Sequence, residues 1–150
     1  MAVPRRANGR AFDPSENHVS ILITGGAGFV GRHLVKTLVR DGHHVRVLDS
    51  VPEQIHGPSA PVPPELAGDD FVHGDIRDAG LLATALADVD AAVHLAAETG
   101  VGQSMYEVER YVDANDRGTA CLVQTLIERQ RPVRVVLASS RAVYGEGLYT

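Results

Sequence analysis

The chain has 150 residues, enough for one domain with a buried core, and its apolar share of 44% is that of an ordinary globular protein. The formal net charge of −5 offers no basic surface for nucleic acid, and no apolar run approaches the length of a membrane span. The single cysteine, Cys121, excludes a disulfide within the chain and suits a reducing compartment. We therefore expect a cytoplasmic protein without nucleic-acid or membrane partners.

A glycine-rich turn near the N-terminus is the most informative stretch. Residues 1–18 lack the apolar segment of a secretory signal and are predicted to form a disordered extension. The apolar run 19–23 predicts a strand, which leads through Gly25-x-x-Gly28-x-x-Gly31 into a helical pattern that ends near residue 40. We assign Gly25 to the sharp turn, Gly28 to close approach of a pyrophosphate, and Gly31 to tight packing of helix on strand. This order predicts a phosphate site at a helix N-terminus, with a merely flexible glycine loop as the alternative.

An acidic residue follows the second predicted strand. The apolar run 45–48 ends at Asp49, eighteen residues after Gly31. A carboxylate in this place accepts hydrogen bonds from the adenosine ribose and repels a 2′-phosphate, so the pattern favours NAD over NADP. An ordinary surface aspartate is the alternative. His43 and His44 precede this strand, but neighbours on a strand point to opposite faces, and we expect no metal site.

The remaining elements alternate between strand and helix. Residues 51–68 are rich in proline and predict a surface loop, followed by a strand at 71–73 and a helix at 79–87 that Asp78 caps. The apolar run 91–97 predicts a strand covered on both faces. A long helix is predicted at 106–129, after a glycine-containing loop, with an apolar stripe that includes Leu122, Val123 and Ile127; a strand at 133–137 follows. Residues 19–150 therefore predict a doubly wound parallel sheet of Rossmann type in a three-layer α/β/α domain, with its ligand at the carboxyl ends of the strands.

Six short motifs together resemble one known family. They are Thr24-Gly25-Gly26-Ala27-Gly28-Phe29-Val30-Gly31, Gly74-Asp75-Ile76-Arg77-Asp78, His94-Leu95-Ala96-Ala97, Val101-Gly102-Gln103-Ser104, Asn115-x-x-Gly118-Thr119 and Ser139-Ser140-Arg141-Ala142-Val143-Tyr144-Gly145. With these motifs the chain resembles the extended short-chain dehydrogenase/reductase family, especially its nucleotide-sugar epimerases and dehydratases. The resemblance extends over residues 19–147.

The resemblance implies an NAD cofactor and a role for each matching residue. Phe29 and Val30 would line the pyrophosphate turn, while Asp75 and Ile76 would hold the adenine, Asp75 through the exocyclic amine. Asn115 would brace the backbone near the nicotinamide. Asp116 departs from the apolar residue that is usual in the family. The other implied contacts, under the adenosine and pyrophosphate, are Leu95, Ala96 and Ala97.

Ser140 matches the catalytic Ser/Thr of the family, which would hydrogen-bond the sugar hydroxyl that is oxidised. The alternative is a serine that caps the next turn. The family's proton acceptor is a tyrosine in a Tyr-x-x-x-Lys pair, and no such pair occurs within these 150 residues. We therefore expect the chain to be the cofactor-binding part of a longer enzyme and inactive alone. When that enzyme is complete, the resemblance implies a homodimer formed through the predicted helix at 106–129.

The residue after Arg141 bears on the reaction type. Dehydratases of the family carry an acid there that moves a proton, and Ala142 cannot do so. The resemblance then favours a 4-epimerase that acts on a UDP- or dTDP-sugar through a 4-keto intermediate. A reductase or dehydratase of the same family, and an NAD-binding module without catalysis, are the alternatives.

Overall fold

The computed structural model describes residues 18–52, 70–140 and 143, so most of the predicted N-terminal extension and proline-rich loop lies outside the described residues. The strands are β1 (Ser20–Thr24), β2 (His44–Asp49), β3 (Phe71–His73), β4 (Ala91–His94) and β5 (Arg134–Leu137). The helices are α1 (Phe29–Arg40), α2 (Ala79–Ala85), α3 (Val101–Ser104), α4 (Val108–Tyr111), a π-helix (Val112–Arg117) and α5 (Gly118–Glu128).

All five strands run parallel in the order β3-β2-β1-β4-β5. The chain begins in the middle of the sheet at β1, moves outward through β2 and β3, and then crosses back to β4 on the other side. The predicted doubly wound parallel sheet is therefore confirmed. The reversal places a topological switch point between β1 and β4, where the connections leave in opposite directions and open a crevice.

Alternate side chains of the central strands enter two separate cores, because neighbouring residues of a strand point to opposite faces. One core contains Ile21, Ile23, Val45 and Val47 and is covered by α1 through Val35. The other contains Leu22, Leu48 and Ala92 and is covered by α2 and α5 through Leu82 and Leu122. Helices thus cover both faces of the sheet, in the predicted three layers.

β4 is shorter than its apolar run predicts. It ends at His94 rather than residue 97, because its neighbour β1 ends at Thr24 and turns away into the glycine-rich segment. After His94, the chain still donates two hydrogen bonds to Thr24. One is a backbone bond from Leu95 N to Thr24 O (2.9 Å), and the other is a weak bond from Ala96 N to Thr24 Oγ1 (3.4 Å). Residues 95–97 therefore continue past the sheet as an irregular segment.

The predicted long helix at 106–129 is confirmed as one continuous helical segment over residues 108–128. Within it, α4, the π-helix and α5 follow one another without a break, and the glycine-containing loop before it includes the short helix α3. Hydrogen bonds from Glu98 and Arg77, in other parts of the fold, hold the π-helix. Gly118 begins α5 directly against Ile76, where a Cβ atom would lie 2.7 Å from Ile76 Cγ2. A π-helical turn inside a helix often marks a functional site.

The apolar stripe predicted on this segment is only partly buried. Leu122 is inside the core, whereas Val123 is 46% and Ile127 70% exposed. The apolar residues of β5, Val135 to Leu137, are exposed as well. None of the helices formed by the described residues has the length and apolar character needed to cross a membrane.

Candidate functional site

A cleft of about 360 Å³ lies beyond the carboxyl ends of β1 to β4, at the switch point of the sheet. Its wall is formed by the segments that follow each of these strands, together with Ala114 of the π-helix. Every residue predicted to bind the cofactor, apart from Asn115, lines this cleft. These residues are Gly25, Gly28, Phe29, Val30, Gly31, Asp49, Asp75, Ile76, Leu95, Ala96 and Ala97.

The three glycines of the Gly25-x-x-Gly28-x-x-Gly31 pattern differ in what surrounds them. Gly25 has a positive φ of 72°, and a Cβ atom there would lie 2.6 Å from Ala96 N. At Gly31 a Cβ atom would lie 2.5 Å from Gly25 O, so this position requires glycine for the turn itself. Gly28 has an ordinary φ of −66°, and the atom nearest to a Cβ atom there would be Gly25 O, at 3.3 Å. Atoms of the protein itself therefore exclude a side chain at Gly25 and Gly31, whereas they leave room for one at Gly28.

The N-terminus of α1 is suited to an anion. Gly28 is its N-cap, no side chain caps the first turn, and no acidic residue lies in that turn of α1. The first backbone N–H groups of any helix lack partners within the helix, and the positive end of the helix dipole lies beside them. Phe29 and Val30, the first residues of the helix, are largely exposed and line the cleft. A phosphate group that enters here would meet backbone donors and a favourable field.

Asp49 ties the glycine-rich turn to the end of β2. Its side chain is buried, Oδ2 accepts a hydrogen bond from Ala27 N (2.9 Å), and Oδ1 accepts one from Val51 N (2.8 Å). Its backbone carbonyl accepts a third bond from Gly74 N (3.0 Å). A carboxylate oxygen has room for a second donor, so Asp49 can brace the turn and still receive a ribose hydroxyl. The bond to Ala27 is a feature that the sequence pattern did not predict.

Asp75 and Ile76 form the part of the cleft that follows β3. Asp75 Oδ1 accepts hydrogen bonds from the backbone N and from Nε of Arg77, both at 2.8 Å, and Oδ2 accepts from the Arg77 guanidinium. These bonds hold the pKa of Asp75 below its ordinary value. Ile76 is buried against Gly118 and presents an apolar wall. Arg77 also lines the cleft, yet sequence reasoning missed it, although it lies inside the motif that contains Asp75.

Asn115 stands behind the cleft and holds the segment after β4. Its Oδ1 accepts from Glu98 N (2.8 Å), and its Nδ2 donates to Glu98 O (3.2 Å). The Glu98 carboxylate accepts from Arg110 (2.9 Å), and Tyr111 Oη donates to Thr99 O (3.0 Å). The side chains of α4 and the π-helix thus fix the backbone at residues 98–99, both of which line the cleft. The sequence pattern pointed to Asn115 but not to Arg110 or Tyr111.

A buried hydrogen-bonded chain joins β1 to the π-helix through His94. Thr24 Oγ1 lies 2.6 Å from His94 Nδ1, and His94 Nε2 lies 3.1 Å from Thr119 Oγ1. Thr119 donates its own hydroxyl proton to Asn115 O (2.6 Å), so its oxygen must accept from Nε2, and we assign the Nε2–H tautomer. Burial lowers the pKa of His94, which agrees with a neutral ring. Neutral His94 therefore helps to hold the residue that braces Glu98.

Ser140 lies just after β5 and is exposed, outside the set of residues that line the cleft. β5 pairs with β4, and Ala138 N donates to His94 O (3.2 Å), so Ser139 and Ser140 lie at the same edge of the sheet as the cleft. The carbonyl of Ser140 accepts from Val143 N (3.3 Å). Arg141, Ala142 and Tyr144 of the same motif lie outside the described residues.

Residues 21–149 match the model of the NAD dependent epimerase/dehydratase family. The chain belongs to that family. Among its curated relatives, the dTDP-L-rhamnose 4-epimerase of Burkholderia thailandensis is 37% identical over 132 residues, which cover 86% of this chain and 36% of that enzyme.

Solved structures of the epimerase/dehydratase family share the fold. UDP-glucose 4-epimerase from Brucella ovis, in complex with NAD, has a TM-score of 0.72 and 30% identity over 87% of this chain and 38% of its own. The dTDP-glucose 4,6-dehydratase of Streptomyces venezuelae, solved with NAD, has a TM-score of 0.65 and 39% identity over 77% of this chain and 38% of its own. The chain thus spans between a third and two fifths of the length of these relatives.

Proposed function

We propose that the cleft binds NAD and that the chain supplies the cofactor-binding part of a nucleotide-sugar 4-epimerase. The observation that carries the proposal is the order in which three kinds of binding surface line one cleft. An uncapped helix N-terminus suits the pyrophosphate, the Asp49 carboxylate suits ribose hydroxyls, and the Ile76 wall beside Asp75 suits an adenine. Anion site, hydroxyl acceptor and purine wall follow one another as the parts of a dinucleotide do.

The proposed reaction is inversion at C4 of a UDP- or dTDP-sugar. When bound, NAD would supply the hydride chemistry, by taking the C4 hydride and returning it to the opposite face of the 4-keto form. The hydroxyl proton would pass to and from the tyrosine that the family resemblance implies, which these 150 residues do not contain. The role proposed for this chain's Ser140 is to hold the reacting sugar oxygen by a hydrogen bond, since a hydroxyl both donates and accepts. The 4-epimerases among the relatives and the inert side chain of Ala142 support epimerisation. The NAD-bound dehydratase structure keeps a dehydratase as the second candidate, and a reductase or a non-catalytic NAD-binding module as further ones.

We also propose a cytoplasmic homodimer. Exposed apolar residues on the segment from α4 to α5 support an interface there; they are Val108, Val112, Val123 and Ile127. The cysteine in the chain, Cys121, is a free thiol, which suits a reducing compartment. Analytical ultracentrifugation of the protein and of its Ile127→Glu variant tests the interface. We expect a dimer for the first and a shift towards monomer for the second, whereas a wild-type monomer at high concentration would contradict the proposal.

The function is tested with the protein as its gene encodes it, by following NAD binding and the conversion of UDP- and dTDP-sugars. We expect 4-epimerisation without net consumption of NAD. Net production of NADH would instead indicate a dehydrogenase, net consumption of NADH a reductase, and loss of water from the sugar a dehydratase. NAD binding without turnover of any sugar would favour the non-catalytic module.

Ser140 and Ser139 provide a matched pair for the catalytic assignment. Ser140→Ala is expected to lower kcat roughly ten- to a thousand-fold with NAD affinity nearly unchanged, which corresponds to about 2–4 kcal/mol for one positioned hydrogen bond in an active site. Ser139→Ala is the control, because neighbours along an extended chain point to opposite sides and we expect Ser139 to face away from the sugar. A larger loss of kcat in Ser139→Ala would overturn the assignment.

A further inference from the structure

Arg77 connects two acidic residues that come from different parts of the fold. On one side its Nε donates to Asp75 Oδ1 (2.8 Å), and its terminal nitrogen donates to Asp75 Oδ2. On the other side its second terminal nitrogen donates to Asp113 of the π-helix. Arg117 also donates to Asp113 (2.8 Å), one turn further along. The planar guanidinium thus forms a two-point bond with Asp75 while a second carboxylate holds it from behind.

This arrangement fixes the orientation of the Asp75 carboxylate. Both of its oxygens are bonded to Arg77, and Oδ1 also accepts from the backbone N of the same residue. An isolated aspartate would rotate about its side-chain bonds, but a bidentate arginine pair allows one plane. The side chain of Asp75 remains 41% exposed and lines the cleft. The acceptor positions that Arg77 leaves unused are therefore the ones available to a ligand there.

The neighbouring surface indicates what kind of ligand group fits. Ile76 offers an apolar wall packed tightly on Gly118, which suits the flat face of an aromatic ring. Beside it, an ionised carboxylate accepts hydrogen bonds and cannot donate them. The ring must therefore present a donor at its edge, as the exocyclic amine of adenine does. If the ring carried an oxygen in that place, two hydrogen-bond acceptors would face each other with no hydrogen between them.

We propose that Arg77 is a positioning residue for base recognition, because it fixes the Asp75 carboxylate in the orientation that accepts a hydrogen bond from the 6-amino group of adenine. Through Asp113, Arg77 also ties this part of the cleft to the π-helix that carries Asn115. The inference rests on the proposed function, since it takes NAD as the occupant of the cleft. It adds to that function a residue that decides which base is accepted.

The test compares NAD with nicotinamide hypoxanthine dinucleotide, in which an oxygen replaces the 6-amino group. Dissociation constants for both are measured by isothermal titration calorimetry on the protein as its gene encodes it. We expect the wild-type protein to bind NAD roughly ten- to a hundred-fold more tightly than the analogue, as for one hydrogen bond to a charged group. In Arg77→Gln the NAD affinity should fall while that for the analogue changes little, so that the ratio approaches one.

Three further variants separate positioning from a general structural role. Asp75→Asn should lose discrimination to a similar extent, because it removes the ionised acceptor itself. Arg77→Lys keeps the charge but not the two-point bond, and should restore only part of the discrimination. Arg117→Gln is the matched control, since Arg117 donates to Asp113 but not to Asp75 within the described residues, and it should keep the wild-type ratio.

The outcomes distinguish the inference from the proposed function. If Arg77→Gln or Arg77→Lys weakens both dinucleotides by the same factor, Arg77 acts on the fold or stacks on the base, and the inference is overturned. A wild-type protein that binds both dinucleotides equally would also overturn it while leaving NAD binding intact. A wild-type protein that binds neither would refute the proposed function and the inference with it. If Arg77→Gln does not fold, the Arg77→Lys and Asp75→Asn ratios decide the question.

Discussion

Alanine substitutions at Gly28 and Gly31 should separate cofactor binding from folding, although the two glycines lie in the same turn. At Gly31 the new Cβ atom would lie 2.5 Å from Gly25 O and 2.6 Å from Gly26 Cα, closer than the 3.0 Å that real Cβ atoms essentially never pass. All of these atoms belong to the backbone and cannot rotate away. Overpacking costs about 1–3 kcal/mol in general, and we expect Gly31→Ala to lose about 3 kcal/mol of the free energy of unfolding.

Gly28→Ala should cost far less stability. The backbone of Gly28, with φ −66° and ψ 172°, is one that alanine adopts without strain, and the closest contact would be 3.3 Å. Alanine is a poorer N-cap than glycine by about 0.5–1 kcal/mol, but it also reduces the freedom of the unfolded chain by about 0.4–1 kcal/mol. These two terms nearly cancel, so the free energy of unfolding should change by less than about 1 kcal/mol.

The effects on NAD affinity should be in the opposite order. A methyl group at Gly28 would occupy space beside the first turn of α1, where the pyrophosphate is proposed to approach the backbone. Loss of one hydrogen bond to a charged group is worth about 1.5–3 kcal/mol, or roughly ten- to a hundred-fold in the dissociation constant. Urea unfolding without NAD gives the stabilities, and calorimetry at a temperature where both variants are folded gives the affinities. Equal losses of stability, or an unchanged affinity in folded Gly28→Ala, would refute this reasoning.

Three other residues give separate predictions. Wild-type protein should bind NAD more tightly than NADP, and Asp49→Ala should narrow the difference; tighter calorimetric binding of NADP by the wild type would contradict this. Asn115→Ala should lower the free energy of unfolding by about 1–3 kcal/mol, because the amide and carbonyl of Glu98 lose their partner; unchanged urea unfolding would exclude such a role. In the folded protein, the pKa of His94 lies below its ordinary value. As the pH first falls below about 6.5, only the unfolded chain therefore takes up a proton on this histidine. Stability should therefore decrease between pH 7.5 and 5.5, less so in His94→Gln; equal decreases would show that His94 is not responsible.

The beginning of β4 follows from its own residues, whereas its end depends on the neighbouring strand. The apolar run 91–97 predicted the strand correctly at its beginning, because apolar residues in a row indicate burial on both faces. The end of the strand was wrong, since a strand continues only where a neighbouring backbone continues beside it. Thr24 is the last residue of β1, and the turn at Gly25 takes that neighbour away. The residues beyond His94 then become a wall of the cleft.

In the helix predicted at 106–129, the contacts of the side chains also depend on distant parts of the chain. Its apolar periodicity predicted the helical segment, which is continuous over residues 108–128, but not the π-helical turn, because local periodicity contains no information about hydrogen bonds to distant segments. Asn115 is held by Glu98, 17 residues earlier, and Asp113 is bound by Arg77, 36 residues earlier. These bonds accompany the π-helix at the point where the segment meets the cleft. The exposed Val123 and Ile127 show in addition that an apolar stripe predicts a packing surface without identifying its partner.

The sequence by itself determined the order of strands and helices, the position of the glycine-rich turn, and the acidic residues at the end of β2 and after β3. These are local features, because a strand, a turn and a helix start each depend on residues within one or two turns of the chain. Only the tertiary structure decided that Gly31 is required by the turn itself while Gly28 is not, that Asp49 is bonded to Ala27, and that Arg77 orients Asp75. The physical reason is that a side chain's partners depend on which backbone segments the folded sheet brings within about 3 Å, a distance over which hydrogen bonds act and which periodicity along the chain does not encode.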